Sequence, residues 1–160
     1  MVSIEGRVRR RVLTGLERSP TTRLVAVAGH LLGERWTRYV TQSFGLTPAG
    51  AAVVMAIHRN ADLNHGELAE ACLVRPATLT GVVDTLVRTG FVTREADAAD
   101  RRAVRILLTG KGEQVAAKVA KRVAAKKSLT SIDADPENEA IVRRFLIELI
   151  TDLSATREPT

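Results

Sequence analysis

The chain's 160 residues are enough for one ordinary domain, or for a small domain with an oligomerisation arm, and too few for a large two-domain enzyme. Hydrophobic residues at 45% and charged residues at 26% are the balance of a folded chain, and five aromatic rings leave an aliphatic core and little for a sugar-stacking groove or a single-strand nucleic-acid platform. The net charge of +6 suits a polyanionic partner or simply a soluble surface, while a single cysteine, Cys72, and three scattered histidines argue against a disulfide framework and against a cysteine- or histidine-rich metal site.

The first residues place Ile4, Val8, Val12 and Leu16 four apart among Arg7, Arg9, Arg10 and Arg11, the pattern of an amphipathic basic helix. They lack the apolar core of a secretory signal, and no stretch reaches the length of a membrane span, so a cytoplasmic location and no membrane partner are expected. Ser19-Pro20 reads as a capping hydroxyl followed by proline at the first helical position. A long helix should run from there to Phe44, with Leu24, Ala28, Leu32, Trp36, Val40 and Phe44 on a stripe that must be buried. Gly45 ends it, and Thr47-Pro48 starts a short helix through Ala51, Val54 and Ile57 to about Arg59.

Asn64 and Glu67 have capping-box spacing and open a helix over residues 65 to 72. A second helix follows at once, with Pro76 in its first turn, Leu79, Val82, Val83 and Leu86 facing inward, and Gly90 closing it. Residues 91 to 95 and 103 to 108 are rich in β-branched and apolar side chains around a polar stretch, which predicts a β-hairpin. Thr109 caps a further helix with Val115, Val119 and Val123 on its inner row. Asp135-Pro136 opens the last one, whose stripe of Ile141, Val142, Phe145, Leu146, Leu149, Ile150 and Leu153 is too wide for a solvated terminal helix.

The pair of helices between residues 66 and 86 has the apolar spacing of a helix-turn-helix, Leu68, Cys72, Val74, Leu79 and Val82, with small Ala69 at the crossing. An ordinary αα-hairpin fits the same segment. Leu73 stands where many such turns carry glycine. The second helix would expose Arg75, Ala77, Thr78, Thr80, Gly81 and Thr85, small or hydrogen-bonding residues suited to close approach to base edges and phosphates, and with Pro76 those from Arg75 to Gly81 are the candidate DNA-binding residues. A hairpin immediately after it turns the motif into a winged helix.

The hairpin tip, Asp97 to Arg102, closely resembles that of the MarR family of bacterial transcriptional regulators, whose wing is similar to D-P-x-D-R-R, followed by a strand and by L-T-x-x-G opening a helix. Asp97, Asp100, Arg101, Arg102, Leu108, Thr109 and Gly112 carry the match, and Thr78, Leu79, Thr80, Val83, Asp84, Leu86, Gly90, Val92 and Arg94 follow the family pattern upstream. Ala98 replaces the usual proline, and Arg75-Pro76 replaces a polar capping residue.

The resemblance implies a mainly α fold with a small β-hairpin: dimerisation helices over residues 1–46, a winged helix-turn-helix over 47–109, and linking and dimerisation helices over 110–160. It implies a homodimer on double-stranded DNA, Arg101 or Arg102 entering the minor groove beside a wing-orienting Asp100, and the segment from Arg75 to Gly81 reading the major groove. It further implies a repressor released from a pseudo-palindromic operator by a small, often aromatic, effector, with no cofactor. His30, Trp36 and His58 are the candidate effector-pocket residues. A constitutive architectural DNA-binding protein is the alternative.

The charge distribution agrees, with ten Lys and Arg against four acids over residues 94 to 127 and three against seven over 128 to 160. No nucleophile–base pair, phosphate loop or metal spacing points to an enzyme. Cys72, on the apolar face of its helix, is expected to be a buried, inert thiol, and His30 a core or interface histidine.

Overall fold

The computed structural model describes residues 15–96, 104–125 and 135–155. The basic helix expected before residue 15 and the wing tip at 97–103 lie outside these residues. Among the described residues the elements with defined bounds follow in the order α1 (Thr21–Phe44), α2 (Pro48–Arg59), α3 (His65–Ala71), α4 (Pro76–Arg88), β1 (Val92–Ala96), β2 (Val104–Leu108), α5 (Gly110–Ala125) and α6 (Pro136–Ala155). The chain divides into two compact units, Met1–Glu113 and Gln114–Thr160, with the boundary inside α5.

In the first unit the core is aliphatic. Val40 and Leu46 meet Ala51, Val53, Val54 and Ile57 of α2, Leu68 and Ala69 of α3, Leu79, Val83 and Leu86 of α4, and Phe91, Val92 and Ile106 at the hairpin, all buried. Each leucine taken out of water here stabilises the fold by about 1.5–3 kcal/mol. Cys72, Val74 and Val82 are only half-buried, so the inner row of the helix pair is narrower than its sequence pattern.

Local signals set the boundaries. The Thr47 hydroxyl accepts from Gly50 N–H at 3.0 Å with Pro48 in the first turn of α2. Asn64 and Glu67 form the reciprocal capping box on α3: Asn64 Oδ1 accepts from Glu67 N–H, and Glu67 Oε2 from Asn64 N–H. At the start of α1 the expectation is corrected. Pro20 is the N-cap rather than the first helical residue, and the Ser19 hydroxyl donates back to the Gly15 carbonyl at 3.1 Å instead of capping forward.

α3 and α4 end in the same way. The N–H groups of Leu73 and Val74 donate to the carbonyls of Glu70 and Ala69, and those of Gly90 and Phe91 donate to Val87 and Leu86. This closure needs a left-handed residue at its turn. Gly90 supplies it at φ 75°, but in the first case Leu73 takes φ 54° with its side chain exposed.

The stripe on α1 is buried within the chain only at its end, at Val40, and Leu24, Leu31 and Leu32 are exposed, so one chain does not cover it. In the second unit Val115, Ala116 and Val119 are buried whereas Val123 is exposed. Asp135 accepts from Glu137 N–H at the start of α6. Ile141, Phe145, Leu146, Ile150 and Leu153 of α6 are exposed. Among the described residues no single helix is long and apolar enough to cross a membrane.

Candidate nucleic-acid interface

α3 and α4 pack on one another and on α2, and β1 packs on α4 while β2 packs on α2. The hairpin therefore follows the helix pair and lies against it, the arrangement of a winged helix-turn-helix. Burial of Leu79, Val83 and Leu86 turns the opposite side of α4 outward, and Arg75, Pro76, Ala77, Thr78, Thr80 and Gly81 are all exposed, as the spacing predicts.

α4 begins at Arg75 without a side-chain cap, and Pro76 has no N–H to satisfy. Its outer surface is small and largely neutral, so the backbone can approach a groove floor closely. The hydroxyls differ in what they already do. Thr80 Oγ1 donates to the Pro76 carbonyl at 3.2 Å and lies 3.4 Å from His65 Nε2, which ties the two helices of the motif together. Thr85 Oγ1 donates to the Gly81 carbonyl. Among the described residues Thr78 has no such side-chain bond.

Among the described residues two ion pairs tie the hairpin to other elements. Arg94 Nη2 of β1 donates to Asp84 Oδ1 of α4 at 2.7 Å, and Arg105 Nη2 of β2 donates to Asp62 Oδ1 in the link between α2 and α3. His58 Nδ1 lies 3.1 Å from Glu113 Oε2 at the start of α5. Sequence reasoning quoted Asp84 and Arg94 as parts of a pattern but did not pair them, and it missed the other two contacts. Ten residues separate Asp84 from Arg94, and the packing of β1 on α4 that brings them together is a tertiary fact.

Thr109 and Gly112 tie the wing to α5. The Thr109 hydroxyl accepts from Gly112 N–H at 3.1 Å and lies 2.7 Å from the Gly90 carbonyl, to which it donates. Lys111 donates to the Thr89 carbonyl at 2.9 Å with its ammonium 4.1 Å from the centre of the Phe91 ring.

Of the three candidate pocket residues, His30 alone lines either the groove on α1 or the cleft beside α4. His30 is exposed on α1, 3.4 Å from Glu34, in a shallow groove that contains neither Trp36 nor His58. It is thus neither core nor covered in the single chain. Trp36 packs at a tilt on Tyr39, and His58 faces Glu113. A separate cleft of about 250 Å³ lies between the α1–α2 turn and α4, lined by Leu46, Val82 and Leu86 and by Thr47, Thr78 and Thr85. Among the described residues no charged side chain lines it. Cys72 is half-buried rather than buried, and desolvation raises its thiol pKa. Asp100, Arg101 and Arg102 lie outside the described residues. Among the described residues no cluster of three or more His, Cys, Asp or Glu could hold a metal ion.

Residues 44–103 match the MarR family. The chain is similar to the HTH-type transcriptional regulator SarZ of Staphylococcus epidermidis, 32% identical over 82 residues that make up 51% of this chain and 55% of that protein. It is also similar to the HTH-type transcriptional repressor MdtR of Bacillus subtilis, 30% identical over 69 residues, 43% of this chain and 44% of that protein. The match thus spans about half the length of these relatives. Among solved structures, a MarR protein from Peptoclostridium difficile superposes with a TM-score of 0.74 at 18% identity, over 87% of this chain and 90% of that one. The S. aureus MepR–DNA complex gives 0.67 at 16% identity, over 85% and 99%. At these identities the structural likeness concerns the fold.

Proposed function

Because the winged-helix region of this chain belongs to the MarR family, we propose that the protein is a homodimeric, sequence-specific DNA-binding regulator of transcription, a repressor released from a pseudo-palindromic operator by a small aromatic effector. One observation carries the reading: the first turns of α4, Pro76 to Gly81, turn a small, uncharged surface outward behind Arg75, and a hairpin is fastened to the same helix by Arg94 and Asp84. A helix of that character fits a major groove while the adjacent hairpin follows the backbone towards the minor groove.

In this reading Arg75, Pro76, Ala77, Thr78, Thr80 and Gly81 form the major-groove face. Arg75 reaches a phosphate or a guanine edge, and Thr78 offers its hydroxyl and methyl to a base. Arg101 or Arg102, oriented by Asp100, enters the minor groove. The exposed apolar rows of α1 and α6 support the dimer, since contiguous apolar surface of this kind marks an interface. The repressor assignment draws on the similarity to a protein named as one.

The cleft beside Thr78 and Thr85 supports release by a small molecule. Apolar side chains and threonines line it, and a ligand there would touch Thr78 and Gly81 of the helix face that DNA needs. Selecting bound fragments from the native genome and footprinting the recovered sites tests the reading. Two half-sites about one helical turn apart are expected. Failure to enrich any sequence would favour the architectural alternative.

A further inference from the structure

The antiparallel register pairs Val92 with Leu108, Arg94 with Ile106 and Ala96 with Val104 on one face of the hairpin, and Thr93 with Leu107 and Glu95 with Arg105 on the other. The first face buries Val92 and Ile106 and sends Arg94 to Asp84 of α4. From the second face Arg105 reaches Asp62, in the link between α2 and α3. The hairpin is gripped from both sides by different elements. A two-stranded ribbon with five residues per strand is marginal on its own, so its direction is set by what it is fastened to.

We propose that Asp62 and Arg105 are positioning residues for the wing, fixing the angle at which the hairpin meets DNA relative to α4. The inference rests on the DNA-binding reading above and deepens it. Glu95 stands opposite Arg105 in the register, a cross-strand neighbour of opposite charge. What Asp62 adds is attachment to a second element. Asp62 is itself held, since its N–H donates to Asn60 Oδ1 at 3.0 Å in a local turn at the end of α2. Arg105 is the second described residue after residues 97–103, so a tie at this point fixes the end of β2 next to that segment.

Exposure separates this role from a structural one. The Asp62 side chain is 81% exposed and that of Arg105 39%, and an ion pair so open to water adds little to stability. The minor groove, about 6 Å wide, is unforgiving of a tilted wing.

The test uses a duplex recovered by genomic selection and a second one in which the A·T pairs under the wing are replaced by G·C. Asp62→Asn and Arg105→Gln should each reduce the preference for the A·T-flanked duplex by about three- to fivefold, the scale of an exposed ion pair. The double variant should lose no more than either single one, Arg105→Lys should keep most of the preference, and melting temperature and discrimination at the bases under α4 should stay unchanged. Intact flank preference in the single variants, additive losses in the double variant, or an equal loss on every duplex would each overturn the positioning role while leaving DNA binding standing. If the unaltered protein prefers no sequence at all, the DNA-binding reading itself fails, and this inference with it.

Discussion

The carbonyl oxygen of Phe91 faces the α-carbon of Gly112 so closely that no side chain fits between them. The same carbonyl accepts from Thr109 N–H at 3.1 Å, and Thr109 caps α5 through Gly112 N–H. The L-T-x-x-G signature is thus an architectural joint: threonine links the end of α4 to the start of α5, and glycine lets the backbone of residue 91 pass.

Gly112→Ala should therefore destabilise the protein by about 2–3 kcal/mol, because a methyl group would meet rigid backbone rather than a movable side chain. Chemical denaturation measures this. A loss below 0.5 kcal/mol, roughly the scale of a surface change, would show that the joint relaxes freely.

Leu73 holds the left-handed position that Gly90 holds at the equivalent end of α4. A non-glycine residue there costs about 1–2 kcal/mol, and the exposed leucine recovers little by burial. Leu73→Gly should raise stability by about 0.5–1 kcal/mol after the entropy of the added glycine is counted. A lower denaturation midpoint would mean that the leucine side chain contributes more than its exposure suggests.

The apolar rows of α1 and α6 predict a dimer in solution. Light scattering should give twice the 17.3 kDa of one chain at micromolar concentration, and Phe145→Asp should dissociate or unfold it by placing an unpaired charge at the interface. A monomeric mass for the unaltered protein would contradict this.

Desolvation raises the Cys72 pKa, so the thiolate is scarcer at neutral pH than in a free cysteine and appears only as pH climbs higher. Alkylation by iodoacetamide should be slow at pH 7 and should accelerate at a higher pH than for a model thiol. Mild peroxide should leave DNA binding unchanged. Loss of DNA binding on oxidation that Cys72→Ser prevents would identify a sensor instead.

Much of the fold was legible because its punctuation is local. Thr47-Pro48, the Asn64–Glu67 box, Pro76 and Asp135-Pro136 act through their own neighbours, and each starts a helix where its chemistry requires. The start of α1 was misplaced because the Ser19 hydroxyl has two carbonyl or amide choices, and spacing does not decide between them. The exposed face of α4 followed from periodicity, whereas the ties that hold the wing did not. Asp62 and Arg105 are 43 residues apart, and an exposed aspartate carries no sequence mark of its partner.

The central claim is that α4 and the wing read DNA by sequence. Its most direct test is affinity against salt concentration on a genomically selected duplex and on random DNA, for the protein and for Arg101→Ala, Arg102→Ala and Arg75→Ala. The account predicts a clear preference for the selected duplex at every salt concentration. At least one wing variant should lose about 1–3 kcal/mol on that duplex at unchanged melting temperature, through contact with the negative potential of a narrow minor groove. Equal affinity for both duplexes, or three arginine variants indistinguishable from the parent protein, would contradict it.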